Sequence, residues 1–160
     1  MTQRAIIAGL LKELDRGSPA GFAIALHVRF NRPTFLFQTY AKRWMDYYSS
    51  AGLVVLDPTV RWGFHSVGHI LWSDLEASDE AGVLEKAKDF GITNGVAMAT
   101  VLSGSRSIAS FARADRDYDL AEIEALESGF LELHRVTLGP DQLSDDDRRA
   151  LTELSIQLTR

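Results

Sequence analysis

The stretch YAKRWMDYYSSAGLVVLDP, residues 40–58, places three aromatic side chains with polar tips four residues apart. Tyr40, Trp44 and Tyr48 therefore share one face of a helix, and Asp57 follows them, fixed beside Pro58. A buried phenol or indole has to find a hydrogen-bond partner, which Leu or Ile at the same positions would not need. The spacing therefore indicates a site that holds polar groups of another molecule. Without the acid, the same stripe is also typical of a face buried in a core.

Two histidines and one serine were considered as a metal site and as a catalytic nucleophile. His65 and His69 are four residues apart and would share a helical face as metal ligands, but no third ligand accompanies them and HSVGH is poor helix sequence. Ser110 lacks the glycine pattern of a nucleophile elbow. Asp57-Pro58, taken alone, is typical of a helix N-cap with proline at the first helical position. The sequence therefore predicts no metal site and no catalytic residue.

The composition excludes several classes of protein. The chain has 160 residues, of which 46% are hydrophobic and 24% charged, as expected for one globular domain. A net charge of −5 leaves no basic excess for neutralising phosphates, and the absence of cysteine excludes disulfides and thiolate metal sites. No apolar run approaches the roughly 18 residues that cross a bilayer, and the start of the chain is too charged for a signal peptide. We therefore expect a cytoplasmic protein without membrane contacts.

Hydrophobic periodicity predicts the elements that position the aromatic stripe. Helices are predicted at 5–15, 41–50, 78–91, capped by Ser78, and 119–138, with a short helix after Pro58. Strands are predicted at 21–30, 34–40, 69–75, 95–103 and 107–114. In the first strand one face carries Phe22, Ile24, Leu26, Val28 and Phe30, and the other Ala23, Ala25, His27 and Arg29. Neighbouring strands with helices on both sides predict an α+β fold with an antiparallel sheet of about five strands.

One set of residues at fixed spacing, together with the later segment GITNGVAM, resembles the autoinducer-binding domain of LuxR-type quorum-sensing transcription factors. The set consists of Tyr40, Trp44, Tyr48, Asp57, Pro58 and Trp72, with Gly91 and Gly95 in the later segment. The resemblance covers nearly the whole chain. It implies a GAF/PAS-like α-β-α sandwich around a five-stranded antiparallel sheet, which encloses an N-acyl-homoserine lactone and needs no cofactor.

The resemblance also implies roles for individual residues. Trp44 is similar to the indole that donates to the lactone carbonyl, and Asp57 to the carboxylate that accepts from the ligand amide N–H. Tyr40 is similar to the phenol near the amide carbonyl, which Ser110 also reaches. Such a ligand offers one amide donor and several carbonyl acceptors on an apolar body, and these residue types complement it.

Tyr48 and Trp72 are implied as walls of the acyl and lactone ends of the pocket. Further lining residues are expected to be Pro58, Val83, Ala87 and Ala97. Val83 and Ala97 are smaller than the side chains common in the family, which suggests a roomier pocket for a longer or substituted acyl chain. Ala41 replaces the proline that usually follows the first tyrosine.

The tail LSDDDRRALTELSIQLTR allows two interpretations. Leu143, Ser144, Asp147 and Leu151 match the opening of the family's helix-turn-helix domain, which predicts a ligand-binding domain at 1–140 and, at 141–160, a linker or the start of a truncated second domain. A capped amphipathic helix after the Gly139-Pro140 break explains the tail equally well.

The resemblance implies a homodimer that binds DNA only through a C-terminal domain absent from this chain. One alternative is a receptor without a DNA reader that acts as an antagonist by heterodimerisation, and another is a lactone hydrolase.

Overall fold

The computed structural model describes residues 1–30, 32–139 and 144–160. The strands are β1 (Gly21–Arg29), β2 (Arg32–Gln38), β3 (Gly68–Leu71), β4 (Asn94–Leu102) and β5 (Ser105–Arg113). The helices are α1 (Gln3–Arg16), α2 (Lys42–Ser50), α3 (Pro58–His65), α4 (Val83–Lys88), α5 (Leu120–Val136) and α6 (Asp145–Gln157). All neighbouring strands are antiparallel, in the order β2-β1-β5-β4-β3. The predicted α+β sandwich around a five-stranded antiparallel sheet is confirmed.

The two faces of the sheet carry side chains of different size. Phe22 and Ile24 of β1 belong to the core that the sheet forms with α1, α5 and Leu151 of α6. Because side chains alternate along a strand, Ala23 lies on the opposite face, where Ala97 and Ala112 join a second apolar cluster with residues of α2 and α4. The small side chains leave room between this face and the helices that cover it.

The predicted alternation of β1 is wrong from His27 onward. A bulge shifts the pairing with β5 between Ala25 and Val28, and His27 itself has a φ of 53°. The shift buries His27, whose ring lies 4.4 Å from that of His134 in α5, centroid to centroid. Phe30, predicted to share the face of Phe22 and Ile24, is 99% exposed.

The predicted strand at 69–75 is only partly correct. β3 ends at Leu71, and Trp72–Ser78 forms a 3₁₀ helix. The change of geometry turns Trp72 over β4, where a Cβ atom added to Gly95 would lie 2.2 Å from its indole ring. This contact explains why glycine stands at 95.

The predicted helix at 78–91 is shorter than expected, and Ser78 does not cap it. Gly82 has a φ of 70° and precedes α4. The carboxylate of Asp79 accepts the backbone N–H groups of Val83 and Leu84, at 2.8 and 2.9 Å. Asp79 therefore pairs the first free N–H groups of the helix, a capping role that was predicted for Ser78.

The C-terminal helix packs against α1 and the edge strand β2. Ser144 accepts from the N–H of Asp147, as in the predicted capped helix. Ser155 bonds the backbone of Gln38 twice, accepting from its N–H at 3.0 Å and donating to its carbonyl at 2.9 Å. The predicted domain boundary at 140/141 falls outside the described residues. Within the described ranges, no helix is long and apolar enough to cross a membrane.

Candidate functional site

A cavity of about 290 Å³ lies between the small-residue face of the sheet and α2, α3 and α4. The predicted residues on its wall are Tyr40, Trp44, Tyr48, Asp57, Trp72, Val83, Ala87 and Ser110. Pro58 and Ala97 do not line this cavity. Pro58 is the buried first residue of α3, and Ala97 is buried in β4 opposite Ser110.

Other lining residues were missed from the sequence. They are Ala23, Gln38, Met45, Ser49, Gly52, Val54, Thr59 and Leu84. Ala23 belongs to the small-residue face of β1, and Thr59 lies two residues after the N-cap Asp57, where an N-cap carboxylate accepts a backbone N–H. Both residues could therefore have been predicted from the sequence. Ser49, Gly52 and Val54 are exposed, whereas Val83 is buried. The cavity therefore reaches solvent at the end of α2 and is closed at the start of α4.

Asp57 is held in place by three hydrogen bonds. Its Oδ1 accepts from the N–H and the hydroxyl of Thr59, both at 2.8 Å, and its Oδ2 accepts from the Tyr48 hydroxyl at 2.7 Å. A carboxylate has about four acceptor positions, so one remains on Oδ2. Asp57 therefore caps α3 and still has an acceptor for a ligand N–H.

Burial alters the ionisation of this cluster. It raises the pKa of Asp57, while the hydrogen bonds from Tyr48 and Thr59 oppose that rise. Burial, followed by the nearby Asp57 charge, raises the pKa of both Tyr40 and Tyr48. The two phenols therefore remain protonated donors, and the carboxylate gains from any further hydrogen bond to its charged form.

Donors converge on the cavity from the opposite wall. The Trp72 indole N–H donates to Ser110 Oγ at 3.2 Å, and the Tyr40 hydroxyl donates to the Ser110 carbonyl at 3.3 Å. Because Ser110 Oγ accepts in its bond with Trp72, its own O–H remains a donor. Ser110 forms no hydrogen bond with a histidine in the described part of the chain.

Trp44 is fixed by aromatic neighbours rather than by a hydrogen bond. Its ring lies 5.2 Å from Phe90 and 5.7 Å from Tyr48, centroid to centroid, and is tilted to both. Across residues 1–30, 32–139 and 144–160, its indole N–H has no hydrogen-bond partner. Trp44 therefore brings an unused donor to the cavity.

The two histidines considered as metal ligands lie outside the cavity. His65 is the last residue of α3, and His69 in β3 lies 3.4 Å from Glu127. The described residues contain no group of three or more His, Cys, Asp or Glu side chains placed to hold a metal ion.

Comparison with known proteins identifies the family. The family model of the autoinducer binding domain matches residues 14–136, which is most of the chain. The chain belongs to the autoinducer-binding domain family. The resemblance to the autoinducer-binding domain of LuxR-type quorum-sensing regulators, seen in the sequence, is thereby confirmed.

The curated relatives that match part of this chain are named as transcription regulators. The transcriptional activator SolR of Ralstonia nicotianae is 33% identical over 94 residues, covering 58% of this chain and 40% of SolR. The transcriptional activator PhzR of Pseudomonas fluorescens is 31% identical over 100 residues, covering 61% of this chain and 41% of PhzR. The matched region thus spans about 40% of the length of these relatives, none of which is described as an enzyme.

Solved autoinducer-binding domains share the fold. The structure of SdiA with octanoyl-rac-glycerol has a TM-score of 0.61 at 17% identity, covering 90% of this chain and 64% of that chain. CepR2 of Burkholderia cenocepacia, described as an N-acylhomoserine lactone dependent LuxR family factor, has a TM-score of 0.57 at 15% identity, covering 86% and 95%. At these identities the likeness shows the architecture.

Proposed function

We propose that this autoinducer-binding domain takes an N-acyl-homoserine lactone in the cavity described above. The observation that carries the proposal is a set of three polar groups that surround the cavity and keep unused hydrogen-bonding capacity. Asp57 keeps one acceptor position, the Trp44 indole keeps its N–H, and the Ser110 hydroxyl keeps its hydrogen. An acyl-homoserine lactone offers the complement, which is one amide N–H and two carbonyl oxygens.

In the proposed complex, the ligand amide N–H donates to Asp57 Oδ2 and the lactone carbonyl accepts from Trp44. The amide carbonyl accepts from Ser110 and from Tyr40, whose hydroxyl can turn away from the Ser110 backbone. The head group then occupies the closed end of the cavity beside Val83. The acyl chain extends toward the open end, beside Met45.

The two parts of the ligand contribute differently to binding. Each buried methylene of the acyl chain adds about 0.8 kcal/mol, so chain length sets much of the affinity. Each hydrogen bond adds a net of about 0.5–1.5 kcal/mol, but a buried partner left unpaired costs about 1–3 kcal/mol. The polar residues therefore select the head group, because a ligand without a hydrogen-bond donor at this position leaves Asp57 incompletely paired.

Ligand-dependent thermal unfolding tests the proposal directly. At a free concentration near 100 times Kd, the ligand adds about 2.7 kcal/mol to the free energy of unfolding. For a chain of this size that corresponds to a rise in Tm of roughly 5–11 °C. The panel consists of homoserine lactones with acyl chains of four to twelve carbons.

Ethyl octanoate serves as the control, because it carries the eight-carbon acyl chain but has no hydrogen-bond donor for Asp57. We expect a smaller Tm rise with it than with N-octanoyl-homoserine lactone. If no lactone in the panel raised the Tm, the proposal would be wrong. Mass spectrometry of the incubated ligand distinguishes a receptor, which leaves it intact, from a lactone hydrolase, which opens the ring with a gain of one water.

We also propose that ligand binding promotes dimerisation, which passes the signal to DNA through a C-terminal domain in the full-length regulator. The activator names of SolR and PhzR support this coupling, as does the net charge of −5, which leaves DNA contact to other residues. Sedimentation velocity with and without N-octanoyl-homoserine lactone is expected to show a larger dimer fraction with ligand. Equal dimer fractions would contradict the coupling.

A further inference from the structure

We propose that Gln38 selects ligands whose acyl chain carries an oxo or hydroxyl group at its third carbon. This inference rests on the proposed function, because it concerns a second polar contact in the same cavity. No role was predicted for Gln38 from the sequence. Its side chain lines the cavity wall between largely apolar neighbours.

The side-chain amide of Gln38 is the part of the wall that lacks a partner. Its hydrogen bonds within residues 1–30, 32–139 and 144–160 all involve the backbone of the residue, and none involves the side chain. The residue is half-buried, so solvent reaches the amide while the cavity holds no ligand. A ligand that fills the cavity removes that solvent, and the amide then needs a new partner.

The sheet register places Gln38 in line with Ser110. Ala23 of β1 pairs with Gln38 of β2 on one side and with Ser110 of β5 on the other. Neighbouring strands lie about 4.8 Å apart, so two spacings separate the backbones of Gln38 and Ser110 by about 10 Å. The three residues therefore form a row on the cavity face with a methyl group between two polar side chains.

The backbone of Gln38 is fixed from the outer edge of the sheet. Ser155 of α6 bonds both its N–H and its carbonyl, and the N–H of Arg160 donates to the carbonyl of Thr39 at 3.0 Å. Because these bonds use the backbone, they leave the amide group free while holding the strand from which it projects. Gln38 is thus an anchored residue with an unused amide.

The position of the amide matches a substituent near the head of the acyl chain. With the amide carbonyl of the ligand at Ser110, its third acyl carbon lies two bonds further along the chain. The long Gln38 side chain covers part of the gap across Ala23 toward that carbon. A glutamine amide donates to an oxo group and accepts from a hydroxyl group, so either substituent satisfies it.

Three ligands of equal chain length test the inference in the intact chain: N-octanoyl-, N-3-oxooctanoyl- and N-3-hydroxyoctanoyl-homoserine lactone. Isothermal titration is expected to show both substituted ligands binding roughly 2- to 12-fold more tightly than the unsubstituted one, as one net hydrogen bond provides. Gln38→Leu is expected to remove this preference. Gln157→Leu, which replaces an exposed glutamine of α6, should leave it unchanged.

Gln38→Glu separates hydrogen bonding from steric effects. A carboxylate accepts but does not donate, so this variant is expected to keep the preference for the 3-hydroxy ligand and lose that for the 3-oxo ligand. Equal affinities of the wild-type chain for the three ligands, or an unchanged preference in Gln38→Leu, would overturn the inference while leaving the proposed function intact. Failure of all three ligands to bind would instead contradict the proposed function.

Discussion

Replacing Asp57 by asparagine is expected to weaken the binding of N-octanoyl-homoserine lactone by roughly 10- to 140-fold. The range follows from about 1.5–3 kcal/mol for a hydrogen bond to a charged group. In the variant, the side-chain oxygen still accepts from Thr59 and caps α3. The amide nitrogen then takes the place of Oδ2. Because this nitrogen is itself a donor, it cannot accept from the ligand N–H. Isothermal titration measures the loss.

The matched control is Asp119→Asn, because Asp119 also caps a helix but does not line the cavity. Its side chain accepts from the N–H of Glu122 at 2.8 Å, at the start of α5. Asparagine is as good an N-cap as aspartate, so both variants are expected to fold. Asp119→Asn should bind the lactone as the wild-type chain does. Wild-type affinity in Asp57→Asn would show that the carboxylate does not hold the ligand.

The same pair of proteins yields a pH test. Because burial raises the pKa of Asp57 above its usual 3.8, acidification protonates it earlier than an exposed aspartate. Lactone affinity of the wild-type chain should therefore fall as the pH drops through that raised pKa, while Asp57→Asn shows no matching change. Without ligand, the raised pKa contributes stability that is present below 3.8 and lost as the pH rises through the folded pKa. Asp57→Asn should therefore gain stability relative to the wild type over that rise.

Local patterns predicted the five strands and the unequal faces of the sheet, but not the bulge in β1 or the limits of β3 and α4. The alternation of Phe22 and Ile24 with Ala23 predicts both the strand and its two unequal faces, and the structure places the cavity on the alanine face. Alternation follows from the extended backbone itself, so one strand reveals it. The bulge at His27 depends on a positive φ in a residue that usually avoids it, and no periodicity encodes that.

The limits of α4 show how local signals mislead. SDEAGVLEKAKDFG carries a serine, early acids and a late glycine, which together predict a long helix. Gly82 instead adopts a φ of 70°, and the preceding residues join the 3₁₀ helix and a turn. Asp79 takes the capping role because its carboxylate reaches two N–H groups, whereas Ser78 bonds backward to Leu75.

The site was predictable only in part, for a topological reason. Tyr40, Trp44 and Tyr48 are close in sequence and all line the cavity, but only Trp44 and Tyr48 lie on α2, and Tyr40 precedes its N-cap, so the prediction of one helical face for all three was only partly correct. Gln38 and Ser110 meet in one row only because β1 lies between β2 and β5 in the sheet. Strand order is not encoded in any single strand, so the polar role of Gln38 emerged only with the register.

Ala41 stands where the resemblance leads us to expect a proline, and its backbone conformation would accept one. Its φ is −51°, which lies within the range that proline imposes. The helix begins at the next residue, and the Ala41 carbonyl accepts from the N–H of Trp44 at 3.0 Å.

Replacing Gly95 by alanine is expected to lower the free energy of unfolding by about 1–3 kcal/mol, the usual cost of overpacking a filled core. The added Cβ would lie 2.2 Å from two atoms of the Trp72 ring, which is 6% exposed and would have to shift. Gly95 has no positive φ, so alanine fits its backbone and the clash is the main cost. Chemical denaturation measures the loss. Gly9→Ala is the control, since its Cβ would meet nothing within 4 Å and alanine favours the helix by about 1 kcal/mol.

A double-mutant cycle decides whether the clash with Trp72 is the cause. In a Trp72→Leu background the ring is absent, so Gly95→Ala should cost far less than it does in the wild-type chain. If Gly95→Ala lowered the free energy of unfolding equally in both backgrounds, the loss would come from the β4 backbone and not from the clash with Trp72. The displacement of Trp72 should also change the cavity wall, because a displaced Trp72 loses its hydrogen bond to Ser110 Oγ. Gly95→Ala should therefore also weaken lactone binding. Gly95 thus affects the site indirectly, because it leaves space for the Trp72 indole.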